Sequence, residues 1–236
     1  MFKAAVEEIE SAYAALGHTQ GWRFLCVSKN ILDADPSIAF ISANPGGNAH
    51  APSHGEASCE KGCAYLAEKW GVADAGQSAL QKQVQALFGR IAEEISVEEG
   101  MGALMERSLV AYYIPFRSPR LALLQRKDET ERFAKRLWSK VLGQKHPKLI
   151  ITIDHAAFRA FSDLLEGRSD QMIEQQKMMT GWGTYTADVK SFQKDGGITT
   201  LLRLPHLSTF KLFSRHQCRP YTDAIVSKAC SHLKLR

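Results

Sequence analysis

The clearest pattern along the chain is a series of short, continuous apolar runs separated by longer segments of helical periodicity. Four runs have the length and composition of strands buried on both faces, and they are 38–41, 109–114, 149–153 and 199–204. The longer segments space their apolar residues three and four positions apart, which predicts amphipathic helices over 2–16, 60–70, 78–95, 129–142, 156–165 and 222–233. Strands that alternate with long helices indicate βαβ units.

This order of elements predicts an α/β fold, a three-layer α/β/α sandwich around a central, mostly parallel four-stranded sheet. Two other segments also have strand character: 22–27, and 184–192, where the alternation fits a half-exposed strand. The sequence contains no internal repeat, low-complexity tract or obvious linker. We therefore expect a single domain over residues 1–236.

Composition narrows the class of protein. The chain has 236 residues, of which 44% are hydrophobic and 23% charged, an ordinary globular balance. It has no apolar run of membrane-spanning length and an acidic N-terminus without a signal core, so we expect a cytoplasmic monomer with no membrane partner. Its five cysteines are an odd number, which favours reduced thiols. The net charge of +5 permits nucleic-acid binding without requiring it.

Polar residues follow the predicted strands at three points, namely segments 44–46, 115–117 and 206–208. Because parallel strands end on the same edge of a sheet, these segments should converge into a site. Pro45 keeps Asn44 extended, while Gly46 and Gly47 let a ligand approach main-chain N–H groups. The alternative for this segment is an ordinary turn, since Asn, Pro and Gly are common turn residues.

These motifs resemble those of the uracil-DNA glycosylase superfamily. Segment 42–46, Ser-Ala-Asn-Pro-Gly, is similar to the Gly-(Ile/Met)-Asn-Pro-Gly motif of the mismatch-specific and single-strand-selective branches. His-Leu-Ser at 206–208 resembles the second motif, His-Pro-Ser. Segments 111–119 and 147–157 resemble the middle strand exit and the strand and helix before the last motif. The order and spacing agree over residues 35–215, so the resemblance implies a glycosylase-like fold.

The resemblance also implies a reaction: hydrolysis of the N-glycosidic bond of a damaged or deaminated base in DNA, as in base excision repair. The base is flipped out of the stack, and no metal, cofactor or covalent intermediate takes part. Asn44 would orient a water at the anomeric carbon, and His206 would stabilise the anionic leaving base. The resemblance assigns base and phosphate binding to Pro45, Gly46, Gly47, Tyr112, Phe116, Arg117 and Ser208.

The segment after the second motif resembles the loop that enters the DNA duplex in this superfamily. It mixes apolar residues, which can wedge between bases, with cations that suit phosphates. The expected intercalation residues are Phe210, Lys211, Leu212 and Arg215. The alternative is a partly buried amphipathic loop.

The sequence departs from the family pattern at several motif positions. Ser42 replaces a glycine, Leu207 a proline, and Asp154 stands where glycine is common. Tyr112 occupies the place of an asparagine that reads the edge of uracil, and loss of that amide removes a source of base selectivity. Uracil is therefore not assigned as the substrate. The rings that could stack on a flipped base, each of which also suits the core, are Tyr65, Trp70 and Phe116.

A metal site is a second possibility in the segment after the first motif. His50, His54, Cys59 and Cys63 are ligand types for zinc, but their spacing matches no familiar zinc module. The alternative for the two histidines is a solvated loop that lines a DNA groove. The four cysteines at 59, 63, 218 and 230 do not repeat the iron–sulfur arrangement of some glycosylases, so we expect no metal or cluster.

Three hypotheses follow from these observations. The first is a monofunctional DNA glycosylase, and the second is a catalytically inactive relative that binds nucleic acid or a nucleobase. The third is an unrelated α/β hydrolase or transferase that acts on a nucleotide-like metabolite. The sequence lacks Gly-x-Gly-x-x-Gly and Gly-x-Ser-x-Gly, which disfavours dinucleotide binding and serine hydrolysis.

Overall fold

The structure, a computed structural model, describes residues 1–47 and 55–233. Its strands are β1 Trp22–Arg23, β2 Ile38–Ser42, β3 Gly55–Glu56, β4 Leu109–Tyr112, β5 Leu149–Thr152, β6 Gln171–Met179, β7 Thr186–Lys194 and β8 Gly197–Arg203. The described residues form a mixed, largely parallel six-stranded sheet in the order β4-β2-β5-β8-β7-β6, and helices flank it. Strands β1 and β3 form a separate parallel pair.

The helices are α1 Phe2–Ala15, α2 Ala64–Ala67, α3 Ala79–Glu94, α4 Gly100–Glu106, α5 Lys127–Gln144, α6 His155–Gly167, α7 Leu207–Phe210 and α8 Arg219–Cys230. Side-chain caps explain where two of these helices, α3 and α6, begin. Ser78 and Gln81 form a reciprocal capping box at α3, and Asp154 accepts from two main-chain N–H groups at the start of α6. Within the described ranges, no helix is long and apolar enough to cross a membrane.

The four predicted apolar runs form the parallel part of the sheet, β4-β2-β5-β8, which confirms the α/β class. Strands β2, β4 and β5 are buried along their whole length. Full burial needs cover on both faces of the sheet, and this is why these strands are continuous apolar runs in the sequence.

The sheet is larger than the four strands predicted, because β6 and β7 extend it as antiparallel strands. Segment 184–192 corresponds to β7, whereas β6 was not predicted. Most residues of β6 are exposed or half-exposed, so it lacks the apolar alternation of a half-buried strand. The turn between β7 and β8 uses Asp195 and Gly196 at positive φ, the pairing typical of a two-residue hairpin.

Three other segments differ from the predicted elements. Only Trp22–Arg23 of segment 22–27 is a regular strand, although the segment lies along β4, with Cys26 N donating to Val110 O. The helix predicted over 60–70 is reduced to the single turn α2. Helix α4 was missed because Gly100 and Gly102 lower its helical signal.

Candidate functional site

The three central parallel strands place the polar segments on one edge of the sheet. Residues Ile41, Thr152 and Arg203 are level with one another across β2, β5 and β8. Asn44 and His206 each lie three residues beyond this line. Since β5 separates their strands and neighbouring strands are about 4.8 Å apart, the two backbones leave the sheet about 10 Å from each other. An amide and an imidazole are therefore presented at the same edge.

Asn44 is held by the loop that follows β4. Its side-chain Nδ2 donates to Pro45 O and to Ser118 O, both at 3.0 Å. Ser118 is buried, and its N–H donates back to Pro45 O. Both N–H groups of the Asn44 amide are thus engaged in holding its orientation, and within residues 1–47 and 55–233 no group bonds the carbonyl oxygen Oδ1, which can accept from a ligand.

A buried pair of hydroxyls lies beneath this loop. Ser42 Oγ is 2.8 Å from Tyr65 Oη, and both residues are buried. The Tyr65 ring packs edge-on against Phe40 and Trp70. Tyr65 is therefore a core residue here, which corrects its candidacy as a ring that stacks on a base.

His206 projects from the end of β8 at the start of α7. Its ring is exposed, and Nδ1 lies 2.9 Å from Ser208 Oγ. Desolvation by neighbouring protein atoms lowers the pKa of His206 below its usual value, while the Asp154 carboxylate acts in the opposite direction. The net shift favours the neutral form of the imidazole. Ser208 contacts this imidazole, and its expected role in phosphate binding stays a prediction.

Sequence reasoning missed an ion pair at the end of β8, three residues before His206 along the chain. Arg203, the last residue of β8, lies 2.5 Å from the Asp188 carboxylate of β7 and donates to Thr186 O. The neighbouring His155 has its pKa lowered by desolvation first and by the Arg203 charge second. An arginine at the end of the apolar run 199–204 was the available signal, because a buried arginine needs a partner.

Three residues expected to contact DNA are committed elsewhere. Phe116 is fully buried and stacks on Phe133, so it cannot stack on a base in this conformation. Tyr112 is buried at the sheet edge, and this burial raises the pKa of its hydroxyl. Arg117 lies 2.7 Å from Glu56 and donates to Gly46 O, so an internal carboxylate already balances its charge. Phe116 and Tyr112 are thus core residues of this structure and Arg117 is ion-paired, and the assignment of all three to base and phosphate binding stays a prediction.

The first motif is only partly accessible. Pro45 is buried, Gly46 is exposed and Gly47 is half-exposed. The two glycines and the half-buried Asn44 are therefore the residues of this loop that a ligand could reach.

The expected intercalation segment is not a free wedge. Leu212 is fully buried, whereas a wedge residue must protrude, so this position fits the alternative of a partly buried amphipathic loop. Phe210 packs 4.3 Å from Tyr185, centroid to centroid. Lys211 is exposed at a positive φ of 47°, and Arg215 lies 3.2 Å over the ring of Trp182. The cations face solvent while the apolar residues pack inward.

The thiols lie in the interior. Cys26, Cys59 and Cys63 are free and buried, and burial raises the pKa of Cys26 and of Cys63 to about 12. Within residues 1–47 and 55–233, no group of three His, Cys, Asp or Glu side chains is placed to hold a metal ion. His50 and His54, the other members of the zinc alternative, lie outside the described residues.

Two surface cavities of about 640 and 650 Å³ lie away from this edge. The first is lined by Lys148 and Thr199, near the starts of β5 and β8, and the second by Pro36, just before β2. Both are therefore at the amino ends of the parallel strands, whereas ligands of open α/β sheets bind at the carboxyl ends.

Comparison of the chain with protein-family models and with curated proteins gives no match. The residues that the sheet brings to its carboxyl edge, Asn44 and His206 first among them, are therefore the basis for a proposed function.

Proposed function

We propose that the protein is a monofunctional DNA glycosylase of the uracil-DNA glycosylase type, which hydrolyses the N-glycosidic bond of a damaged or deaminated base. The observation that carries the proposal is that Asn44 follows β2 and His206 follows β8, two parallel strands separated only by β5, at the same edge of the sheet. Their backbones are about 10 Å apart there, a span suited to a sugar and its base.

Asn44 acts on the attacking water. Because its two N–H groups are bound to main-chain carbonyls, Oδ1 accepts a hydrogen bond from the water and orients it. An amide is too weak a base to remove the proton before attack. The C1′–N bond breaks with its electrons passing to the base, the water oxygen bonds to C1′, and the proton that the water loses ends on the departed base.

His206 acts on the leaving base. When the Ser208 hydroxyl donates to Nδ1, the ring proton resides on Nε2, which then donates to a carbonyl oxygen of the base. That oxygen gains negative charge as the bond breaks, so the hydrogen bond is strongest in the transition state. Ser208 is a positioning residue in this scheme.

A second candidate is the inactive nucleic-acid-binding relative. It is favoured by the burial of Tyr112, which leaves no side chain from that position to read a base edge. The two candidates differ in product: only the glycosylase leaves an abasic site.

The test is excision from oligonucleotides that carry uracil, hypoxanthine, xanthine or mismatched thymine, in single and double strands. We expect alkali-labile abasic product from at least one lesion, and a fall of about 100-fold or more for Asn44→Ala and His206→Ala. His232→Ala, an exposed histidine beyond α8, is the matched control and should retain activity.

Absence of abasic product from every lesion, with the purified protein folded by circular dichroism, would reject the glycosylase. Salt-dependent DNA binding without product would then favour the inactive relative. Unchanged excision in both site variants would show that another group carries the reaction.

A further inference from the structure

The tip of the β6–β7 hairpin lies against the segment that follows His206. Phe210 packs against two hairpin aromatics, with ring centroids 6.1 Å from Trp182 and 4.3 Å from Tyr185. Phe210 N donates to His206 O, so this cluster begins one helical turn from the candidate catalytic imidazole. We call Trp182, Tyr185 and Phe210 the aromatic patch.

The aromatic patch is partly open to solvent. Tyr185 is 49% exposed, and Trp182 and Phe210 are half-buried. A further ring, Tyr221 of α8, is 46% exposed and lies against Gly181 at the base of the same tip. Large exposed aromatics grouped on one surface mark a binding site more often than scattered ones do.

Positive charge accompanies these rings. The Arg215 guanidinium lies 3.2 Å over the ring of Trp182, and Lys211 is exposed beside Phe210. Arg219 is also exposed on the next turn, 3.6 Å from the Asp223 carboxylate. Aromatic faces next to cations are the combination that holds unpaired nucleotides, because bases stack on rings while cations meet phosphates.

The same segment is poorly built for opening a duplex. The apolar residue best suited to wedge between base pairs, Leu212, is fully buried, and Phe210 is packed against the hairpin. Unpaired bases need no wedge, and their faces are free to stack.

We propose that the aromatic patch, with Lys211 and Arg215, stacks unpaired nucleotides beside the target, so that the protein prefers single-stranded DNA to duplex DNA. The inference rests on the proposed function for its ligand class. The preference for single-stranded DNA would then come from the β6–β7 hairpin and not from the candidate catalytic residues Asn44 and His206.

Binding is tested without catalysis by fluorescence anisotropy. The probes are a labelled oligothymidylate of about 20 nucleotides, its duplex with oligodeoxyadenylate, and an abasic backbone of equal length. We expect the wild type to bind the single strand at least about 10-fold more tightly than either other probe, since stacking contributes about 1–3 kcal/mol per base.

The variants separate ring stacking from charge. Tyr185→Ala should weaken oligothymidylate binding about 5-fold or more and leave abasic-backbone binding unchanged, whereas Tyr185→Phe retains the ring and should bind like the wild type. Met172→Ala, at the far end of the same hairpin and 44% exposed, is the matched control. Thermal melting confirms that each variant is folded.

Equal binding of duplex and single strand, or equal loss of affinity for the abasic backbone in Tyr185→Ala, would overturn the proposal. Absence of base excision would leave it intact, because the readout is binding alone. Conversely, if the protein excises a base but Tyr185→Ala binds oligothymidylate as tightly as the wild type, the stacking role of the aromatic patch is rejected while the proposed glycosylase activity is supported.

Discussion

At the residue scale, the fixed amide of Asn44 and the neutral imidazole of His206 show how main-chain groups and desolvation prepare polar side chains. Asn44 is oriented by two carbonyl oxygens, one from its own loop and one from the loop after β4. A side chain oriented before the ligand arrives loses less entropy when the ligand binds. Sequence alone showed which residue types were present, whereas their donors and acceptors depend on a loop 74 residues away.

His18 provides a pH prediction at this scale. The residue is buried and hydrogen-bonded to Thr130 Oγ1, and burial lowers its pKa from 6.5 to about 4. The unfolded chain therefore takes up the proton first as pH falls. The free energy of unfolding is therefore unaffected by His18 above pH 6.5 and falls as the pH drops toward 4, by about 3 kcal/mol in total for this pKa shift.

The measurement is urea unfolding of the wild type and His18→Gln between pH 7 and pH 4.5. The wild type should lose more stability over this interval than His18→Gln, which has no imidazole to protonate. Parallel pH profiles for the two proteins would show that His18 does not cause the decline. Half-buried carboxylates such as Glu68, whose pKa is lowered to about 2, act at lower pH.

At the scale of elements, the parallel strands were predictable because burial on both faces demands continuous apolar runs. The hairpin strand β6 was not, since its sequence is Gln-Met-Ile-Glu-Gln-Gln-Lys-Met-Met and it is mostly exposed. Strand β6 is held in place by its pairing with β7 and by an ion pair between its residue Glu174 and Lys228 of α8. Burial of Phe116 and Leu212 agrees with the alternatives that the sequence left open, a core ring and a partly buried amphipathic loop. The sequence could not choose between these alternatives and DNA contact, because both segments mix polar and apolar residues.

Glycine makes the hairpin tip possible, which gives a prediction for this element. Gly181 has a φ of +76°, and a Cβ there would come within 2.6 Å of Tyr221 and 3.0 Å of the Cys218 backbone. Gly183 also has positive φ, 51°, but a Cβ there meets nothing within 4 Å. The two positions therefore separate backbone strain from steric clash.

Gly183→Ala should cost about 1 kcal/mol of unfolding free energy from backbone strain alone. Gly181→Ala should cost more, about 2–3 kcal/mol, because the tip must also move away from α8. Urea denaturation of both variants measures the difference. Equal losses would mean that the contact with Tyr221 adjusts without cost.

At the scale of the whole molecule, charge distribution matters more than the modest net charge of +5. Several cations of the described surface are paired with carboxylates, for example Arg90 with Asp223 and Lys135 with Asp163. Lys211 and Arg215, in contrast, lie at the candidate site with exposed side chains. Where a cation lies therefore decides whether it contributes to DNA binding.

This distribution predicts different effects for two lysines. Lys211→Ala should weaken single-strand binding and reduce the slope of log K against log salt by about 0.7, the value for one phosphate contact. Lys148→Ala, exposed at the opposite edge of the sheet, should leave the slope unchanged. Titrations at several salt concentrations provide both slopes, and equal slopes for wild type and Lys211→Ala would exclude that contact.

The position of β6 as an edge strand of the sheet affects whether copies of the protein can associate. No strand of the described residues pairs with its outer side, so a row of peptide groups faces water. Such rows invite a second molecule to add a strand. Glu174 and Lys177 place charges along the row, and a register shift between Met172 and Glu174 interrupts its regularity. Growth of a continuous sheet from this exposed strand is thereby discouraged.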